Sequence, residues 1–260
     1  MPEVRPKKAL GQHFLTDMRI AGRIASTLDD FTGTPVLEIG PGMGVLTRFL
    51  LEKHPGLKVV EIDTESVDYL KRNFPALDGR IIEGDFLKMD LADAFGGSPF
   101  CVIGNYPYNI SSQIFFRILG YKDMVPCCSG MLQREVAERL ASKEGTKARG
   151  ILSVLLQTWY DVEYLFTVSE TVFCPPPKVK SGVIKLTRND RNTLPCDEKL
   201  WRTVVKTSFG QRRKTIRNSI KPLLPADKAM PDSPLLAKRP EQLSVEEFFE
   251  LTNLISEARK

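Results

Sequence analysis

Gly104-Asn105-Tyr106-Pro107-Tyr108-Asn109 follows directly on the apolar run Phe100-Cys101-Val102-Ile103. A buried strand ending there delivers a carboxamide, a proline-flanking carbonyl and an aromatic ring to one edge of a sheet. In open α/β sheets, ligands bind outside the carboxyl ends of the strands. An Asn side chain and a nearby backbone carbonyl can both accept hydrogen bonds from one exocyclic amine. The Tyr108 ring can stack on the base that carries the amine. The chemistry this suits is methyl transfer to the amino nitrogen of a nucleobase, with Asn105, Tyr106, Pro107 and Tyr108 as catalytic candidates. Asn, Pro and Gly also make ordinary strand-to-turn junctions, so the surrounding elements must decide.

Those elements repeat one pattern. Pro35-Val36-Leu37-Glu38-Ile39 reads as a short buried strand running into Gly40-Pro41-Gly42-Met43-Gly44, with a helix from Val45 to Lys53. This is the strand, glycine loop, helix order of nucleoside and dinucleotide sites. The alternating glycines are not G-x-G-x-x-G, and a tight turn with no ligand has the same composition. The next strand, Leu57 to Ile62, ends on Glu61, 21 positions after Gly40. That separation matches an acidic residue that grips ribose hydroxyls. Asp63 reads as a solvated carboxylate. A third strand, Arg80 to Gly84, ends in Asp85-Phe86, where a carboxylate can accept from an adenine amine and a ring can pack on the base. Three successive strands thus end in polar residues suited to a nucleoside.

Elsewhere, residues 1–15 form a basic arm, and Thr16 or Asp17 can cap a helix with Ile20, Ile24 and Leu28 on one face. Ser111 reads as the cap of the next core helix after the Asn105 turn, and residues 144–150 as a polar, mobile loop. Phe173-Cys174-Pro175-Pro176-Pro177-Lys178-Val179-Lys180-Ser181 is a proline-stiffened segment. It offers an aromatic ring and two cations, which suits a flipped-out base and its phosphates as well as a plain rigid connection. The chain turns polar from Arg188 to Glu198, a domain boundary. Between Lys199 and Lys221 stand eight basic residues and no acidic one, the footprint of a phosphate-binding surface.

The 260 residues suit one large domain and one small one, and the net charge of +5 is only mildly basic. Five cysteines without a C-x-x-C pair and two histidines argue against a zinc site, so no metal is expected. Reduced thiols, no apolar leader and no membrane-length run place the chain in the cytoplasm.

Taken together, Leu10 to Leu15, Val36 to Thr47, Glu61-Ile62-Asp63, Gly84-Asp85-Phe86, Gly104 to Ser112, Gln133 to Ala137, Phe173 to Ser181 and Ser208 to Ile220 resemble one family. It is the KsgA-type small-subunit (16S) rRNA adenine N6-dimethyltransferases, relatives of the erythromycin-resistance methylases. The resemblance implies an α/β, Rossmann-like S-adenosylmethionine-dependent methyltransferase fold, a mainly parallel seven-stranded sheet with an antiparallel edge hairpin. A small all-α C-terminal domain follows, giving a methyltransferase domain at 1–190 and an RNA-binding domain at 191–260. It implies that His13, Leu15, Gly40, Gly42, Glu61, Ile62, Asp85, Phe86 and Asn105 hold S-adenosylmethionine, and that Tyr108 and Phe173 sandwich the target adenine. Lys178, Lys180, Lys206, Arg212, Arg213, Lys214 and Arg217 would bind RNA of the immature 30S subunit, the enzyme acting as a monomer. His13 stands where the family most often has Asn, and Tyr106 where Leu is common. A DNA adenine methyltransferase and a non-catalytic assembly factor are the rival readings.

Overall fold

The computed structural model describes residues 4–260. A short strand β1 (Phe14–Leu15) leads into α1 (Met18–Ala25), capped by the Asp17 carboxylate, which accepts from the N–H groups of Arg19 and Ile20. The Ile20, Ile24, Leu28 spacing runs on past α1 into a 3-10 turn, Ser26–Phe31, so two helical elements share that face. Then come β2 (Val36–Ile39), α2 (Thr47–Lys53), β3 (Lys58–Glu61), α3 (Thr64–Asn73), β4 (Ile81–Glu83) and a short α4 (Leu91–Ala94). They are followed by β5 (Cys101–Asn105), α5 (Ser111–Gly120), β6 (Cys127–Gln133), α6 (Arg134–Leu140) and α7 (Ile151–Trp159). Strands β7 (Tyr160–Val168), β8 (Phe173–Cys174) and β9 (Ser181–Arg188) and helices α8 (Glu198–Gly210), α9 (Ile216–Ser219) and α10 (Val245–Ala258) complete the chain. Ser111 is the first residue of α5 rather than its cap, its hydroxyl donating back to the Tyr108 carbonyl at 3.3 Å.

Seven strands form one sheet in the order β4-β3-β2-β5-β6-β9-β7. The pairs from β4 through β6 are parallel, and β9 joins β6 antiparallel. From β2 the chain builds outward to β3 and β4, then returns to place β5 on the other side of β2. The order therefore reverses between β2 and β5, where such sheets open a ligand crevice at their carboxyl ends. The register makes this concrete: Ile39 lies beside both Val60 and Gly104, and Glu61 beside Glu83. Gly40, Glu61, Gly84-Asp85 and Asn105 consequently leave the sheet side by side. Apart from the sheet, β1 and β8 pair antiparallel, Leu15 against Phe173, and tie the N-terminal arm to the proline segment.

Contacts gather the chain into two compact units, one of residues 4–138 with 161–188 and one of 139–160 with 189–260. The second therefore takes in α7, which a single cut near residue 190 leaves with the first. Within it α8 and α10 pack through Trp201 against Phe249 and Phe209 stacked on Phe248, with centroids 6.1 and 6.0 Å apart. Ser244 and Glu247 close a reciprocal capping box at the start of α10. The 144–150 loop is tied down in this unit, contrary to its polar composition. Gly145 N–H donates to the Glu241 carbonyl at 2.8 Å, and the buried Arg149 guanidinium donates to Ser142 O and Gln157 Oε1. Among the described residues no helix is long and apolar enough to cross a membrane.

Candidate active site

The loop after β2 turns through glycines in the left-handed region, with φ of +62° at Gly40 and +55° at Gly42. A Cβ at Gly42 would stand 2.8 Å from the Phe14 ring, so the turn needs glycine for space as well as for angle. The Glu61 carboxylate closes over this loop. Its Oε2 accepts from Gly42 N–H at 3.1 Å, and its Oε1 from the N–H groups of Ile62 and Asp63, both at 2.9 Å. Burial pushes the Glu61 pKa up, and these three donors offset part of that rise. A carboxylate has about four acceptor sites, so Oε2 keeps one for a hydroxyl.

An inner cavity opens over the four strand ends, and Gly40, Gly42, Glu61, Ile62, Asp85, Phe86, Asn105 and His13 all line it. Ile62 is 51% exposed there, an apolar plate, and Phe86 supplies a ring. Asp85 uses Oδ1 on the Leu87 N–H at 2.9 Å and keeps acceptor capacity. Apolar plates, a carboxylate for hydroxyls and another for an amine fit an adenosyl group. Leu15 does not reach this cavity. It is 3% exposed and packed in the core, where its pairing with Phe173 directs it.

Asp63 is not solvated. It is buried and takes hydrogen bonds from Lys7 Nζ, from Gln12 Nε2 at 3.2 Å and from Ser66 Oγ at 3.0 Å. Burial works to raise its pKa, but these donors hold it below the ordinary value. Lys7 also reaches Glu65 at 3.2 Å, and its N–H donates to Gln12 Oε1 at 2.7 Å. The arm is thereby fastened beside the cavity, which Leu10, Gly11, Gln12 and Phe14 help to line.

Asn105 is oriented by that arm. Its Nδ2 donates to the His13 carbonyl at 2.9 Å. A carbonyl only accepts, so the amide's nitrogen faces His13 and Oδ1 is left as the acceptor. The His13 ring in turn bonds Pro175 O through Nδ1 at 2.8 Å, so Nδ1 carries the hydrogen. It packs on Tyr108 with centroids 5.5 Å apart. The Tyr108 hydroxyl meets Ser181 Oγ at 2.5 Å, and burial raises its pKa. Gly11, Gln12, His13 and Tyr108 also line an outer cavity with Gln133, the three prolines, Lys178 and Val179. Both cavities therefore share the wall that carries Tyr108, and Pro107 lines the inner one.

Two catalytic candidates sit differently from the expectation. Phe173 lines neither cavity. It is 4% exposed in the core of the first unit, because successive strand residues alternate and Cys174 takes the outward position. Of the two aromatic candidates Tyr108 alone lines the cavities, with proline and Val179 surface beside it in the outer one. Tyr106 is 1% exposed and points its ring into the sheet, so only its backbone is available to a substrate. Among the cations, Lys178 and Lys180 are exposed in the first unit, and Lys206, Arg212, Arg213, Lys214 and Arg217 in the second. Arg212 is partly committed, donating to the Lys147 carbonyl. Lys7, Gln12 and Ser181 were not singled out from sequence. Their roles arise from partners 56, 51 and 73 positions away.

The parallel sheet with its reversal at β2, the glycine loop and the acidic strand ends define a Rossmann-like methyltransferase. The model of the family described as ribosomal RNA adenine dimethylase matches residues 4–257, and the chain belongs to that family. It is 71% identical to ribosomal RNA small subunit methyltransferase A of Parabacteroides distasonis, over 98% of this chain and 95% of that protein. With the protein of the same name from Bacteroides thetaiotaomicron it shares 63% identity over 100% and 97% of the two chains. The structure of a dimethyladenosine transferase from Plasmodium falciparum superposes with a TM-score of 0.77 at 23% identity, covering 95% of this chain and 98% of that one. The 23S rRNA methyltransferase ErmE superposes with a TM-score of 0.70 at 26% identity over 92% and 99%.

Proposed function

We propose that this chain binds S-adenosylmethionine in the inner cavity and dimethylates N6 of two adjacent adenosines near the 3′ end of 16S rRNA. The substrate is the immature 30S subunit and the enzyme a cytoplasmic monomer. One observation carries the reading: the Asn105 amide is fixed by the His13 carbonyl so that Oδ1 remains for a substrate amine, at the strand end beside the glycine loop. Bound S-adenosylmethionine supplies a methyl group activated on a sulfonium. Glu61 would hold its ribose and Asp85 its adenine, with Ile62 and Phe86 packed on the base.

The adenine N6 lone pair is delocalised into the ring, which makes N6 a poor nucleophile. Asn105 Oδ1 and the carbonyl near Tyr106-Pro107 accept its two hydrogens and favour the pyramidal form whose lone pair is available. Holding donor and acceptor in line lowers such a barrier by up to about 7–11 kcal/mol. After the first transfer one N6 hydrogen remains, so stacking on Tyr108 and the shape of the slot must hold the base for the second.

Mass spectrometry of small-subunit RNA from cells with and without the chain tests the reading. Dimethyladenosine near the 3′ end should vanish with the protein, and its persistence would sink the proposal. Labelled methyl incorporation into duplex DNA, compared with immature subunits, excludes the DNA alternative if only the RNA is labelled. The exposed Arg213 and Lys214 would neutralise phosphates. Replacing both with Ala should weaken RNA binding at every sequence and flatten the slope of log K against log salt by about 1.4. An unchanged slope would remove them from the interface.

A further inference from the structure

The turn that carries the amine-facing carbonyl is anchored by a side chain the reaction does not touch. Tyr106 N–H donates to the Met131 carbonyl at 2.8 Å, and the Tyr106 hydroxyl donates to the Ser129 carbonyl at 2.6 Å. The two bonds straddle Gly130 on β6. Space for the ring comes from Gly104 and Gly130, which are register partners on β5 and β6. A Cβ at either would stand 3.0 or 2.7 Å from the ring. Phe115 closes on it edge-on, with centroids 5.7 Å apart. The anchor is itself held, since Ser129 Oγ donates to the Ile184 carbonyl at 2.9 Å and receives Thr27 Oγ1 at 2.7 Å.

A leucine at this position would leave part of the slot empty and could not make the second bond. Resting on the function proposed above, we propose that Tyr106 is a positioning residue for the second methyl transfer, its buried hydroxyl fixing the catalytic turn to the middle of the sheet. The first transfer has two N6 hydrogens to align the amine. The second has one, so alignment falls to the rigidity of the turn and of the stacked base. Loosening the turn should therefore penalise the second step more than the first.

The experiment is single-turnover methyl transfer by the purified protein to immature small subunits, with mono- and dimethyladenosine quantified separately. Tyr106→Phe keeps the ring and removes the hydroxyl. It should slow the first transfer about threefold or less and the second about tenfold, in line with the loss of the buried hydrogen bond to Ser129 and of the weaker contact with Cys128 Sγ at 3.3 Å. Monomethyladenosine should then accumulate, with the cofactor concentration for half-maximal rate unchanged. Equal slowing of both steps, or a wild-type ratio of products, overturns the inference. Should Tyr106→Phe not fold, Tyr106→Leu lacks the same hydroxyl and is read by the same ratio. A wild-type protein that transfers no methyl at all would instead overturn the proposed function.

Discussion

Asn105→Ala should lower methyl transfer by about a thousandfold while leaving S-adenosylmethionine affinity within about threefold. The magnitude follows from other sites in which one preorganised polar group facing the reacting atom is removed, where losses of about 10²–10³ are usual. Here the group is preorganised in a specific way. Asn105 Nδ2 is held by the His13 carbonyl, so Oδ1 needs no reorientation when the amine arrives. In the proposed site the cofactor has other supports in the glycine loop, Glu61, Ile62 and Asp85, so the equilibrium constant should move little. Asn105→Asp sharpens the test. It keeps the size but sets a carboxylate oxygen against the His13 carbonyl, two acceptors with no hydrogen between them. The side chain should turn away, and activity should fall nearly as far as in the alanine variant. Titration calorimetry for the cofactor and single-turnover rates for the transfer separate binding from chemistry. Near-normal transfer by Asn105→Ala would remove Asn105 from the catalytic site.

The strand ends were legible because each is a short apolar run stopped by a polar or glycine residue, and the parallel register then sets those stops side by side. Gly40, Glu61, Asp85 and Asn105 needed no more than that. Phe173 misled because an aromatic beside three prolines reads as an exposed platform. Its direction is decided by a two-residue pairing with Leu15, 158 positions away, too short to leave a periodic trace. Asp63 misled for a related reason, as the cation that neutralises it comes from the basic arm. The 144–150 loop looked mobile because its composition is polar, yet Arg149 and the Glu241 carbonyl fasten it from within its own unit. Tyr106 reads as a substitution in the catalytic run until Gly130, 24 positions on, shows where the ring goes. Local pattern thus located the strand ends that line the inner cavity, while long-range packing decided which side chains face it.

Glu38 carries the other large effect. It lies in mid-strand on β2 between Val59 and Ile103, 1% exposed, with Thr47 Oγ1 donating to its Oε2 at 2.7 Å. Burial pushes its pKa up to about 8 from an ordinary 4.5, the Thr47 hydroxyl works against the rise, and the neighbouring Glu61 charge adds to it. Because the folded pKa lies above the unfolded one, the native chain holds a proton that the unfolded chain has already released. Stability is therefore greatest below about pH 4.5 with respect to this group and falls as pH rises, levelling off above about 8. At about 1.4 kcal/mol per pH unit the full loss is on the order of 5 kcal/mol. Glu38→Gln keeps an acceptor for Thr47 and cannot ionise. The variant should gain on the wild type steadily from pH 5 to pH 8 in urea midpoint at constant m-value, Glu61 being common to both apart from its coupling to Glu38. Parallel curves for the two proteins would mean that Glu38 is ionised when folded. If the curves diverge as expected, Glu38 is largely neutral near pH 7, and Glu61, the carboxylate proposed to hold the ribose, has no second negative charge behind it.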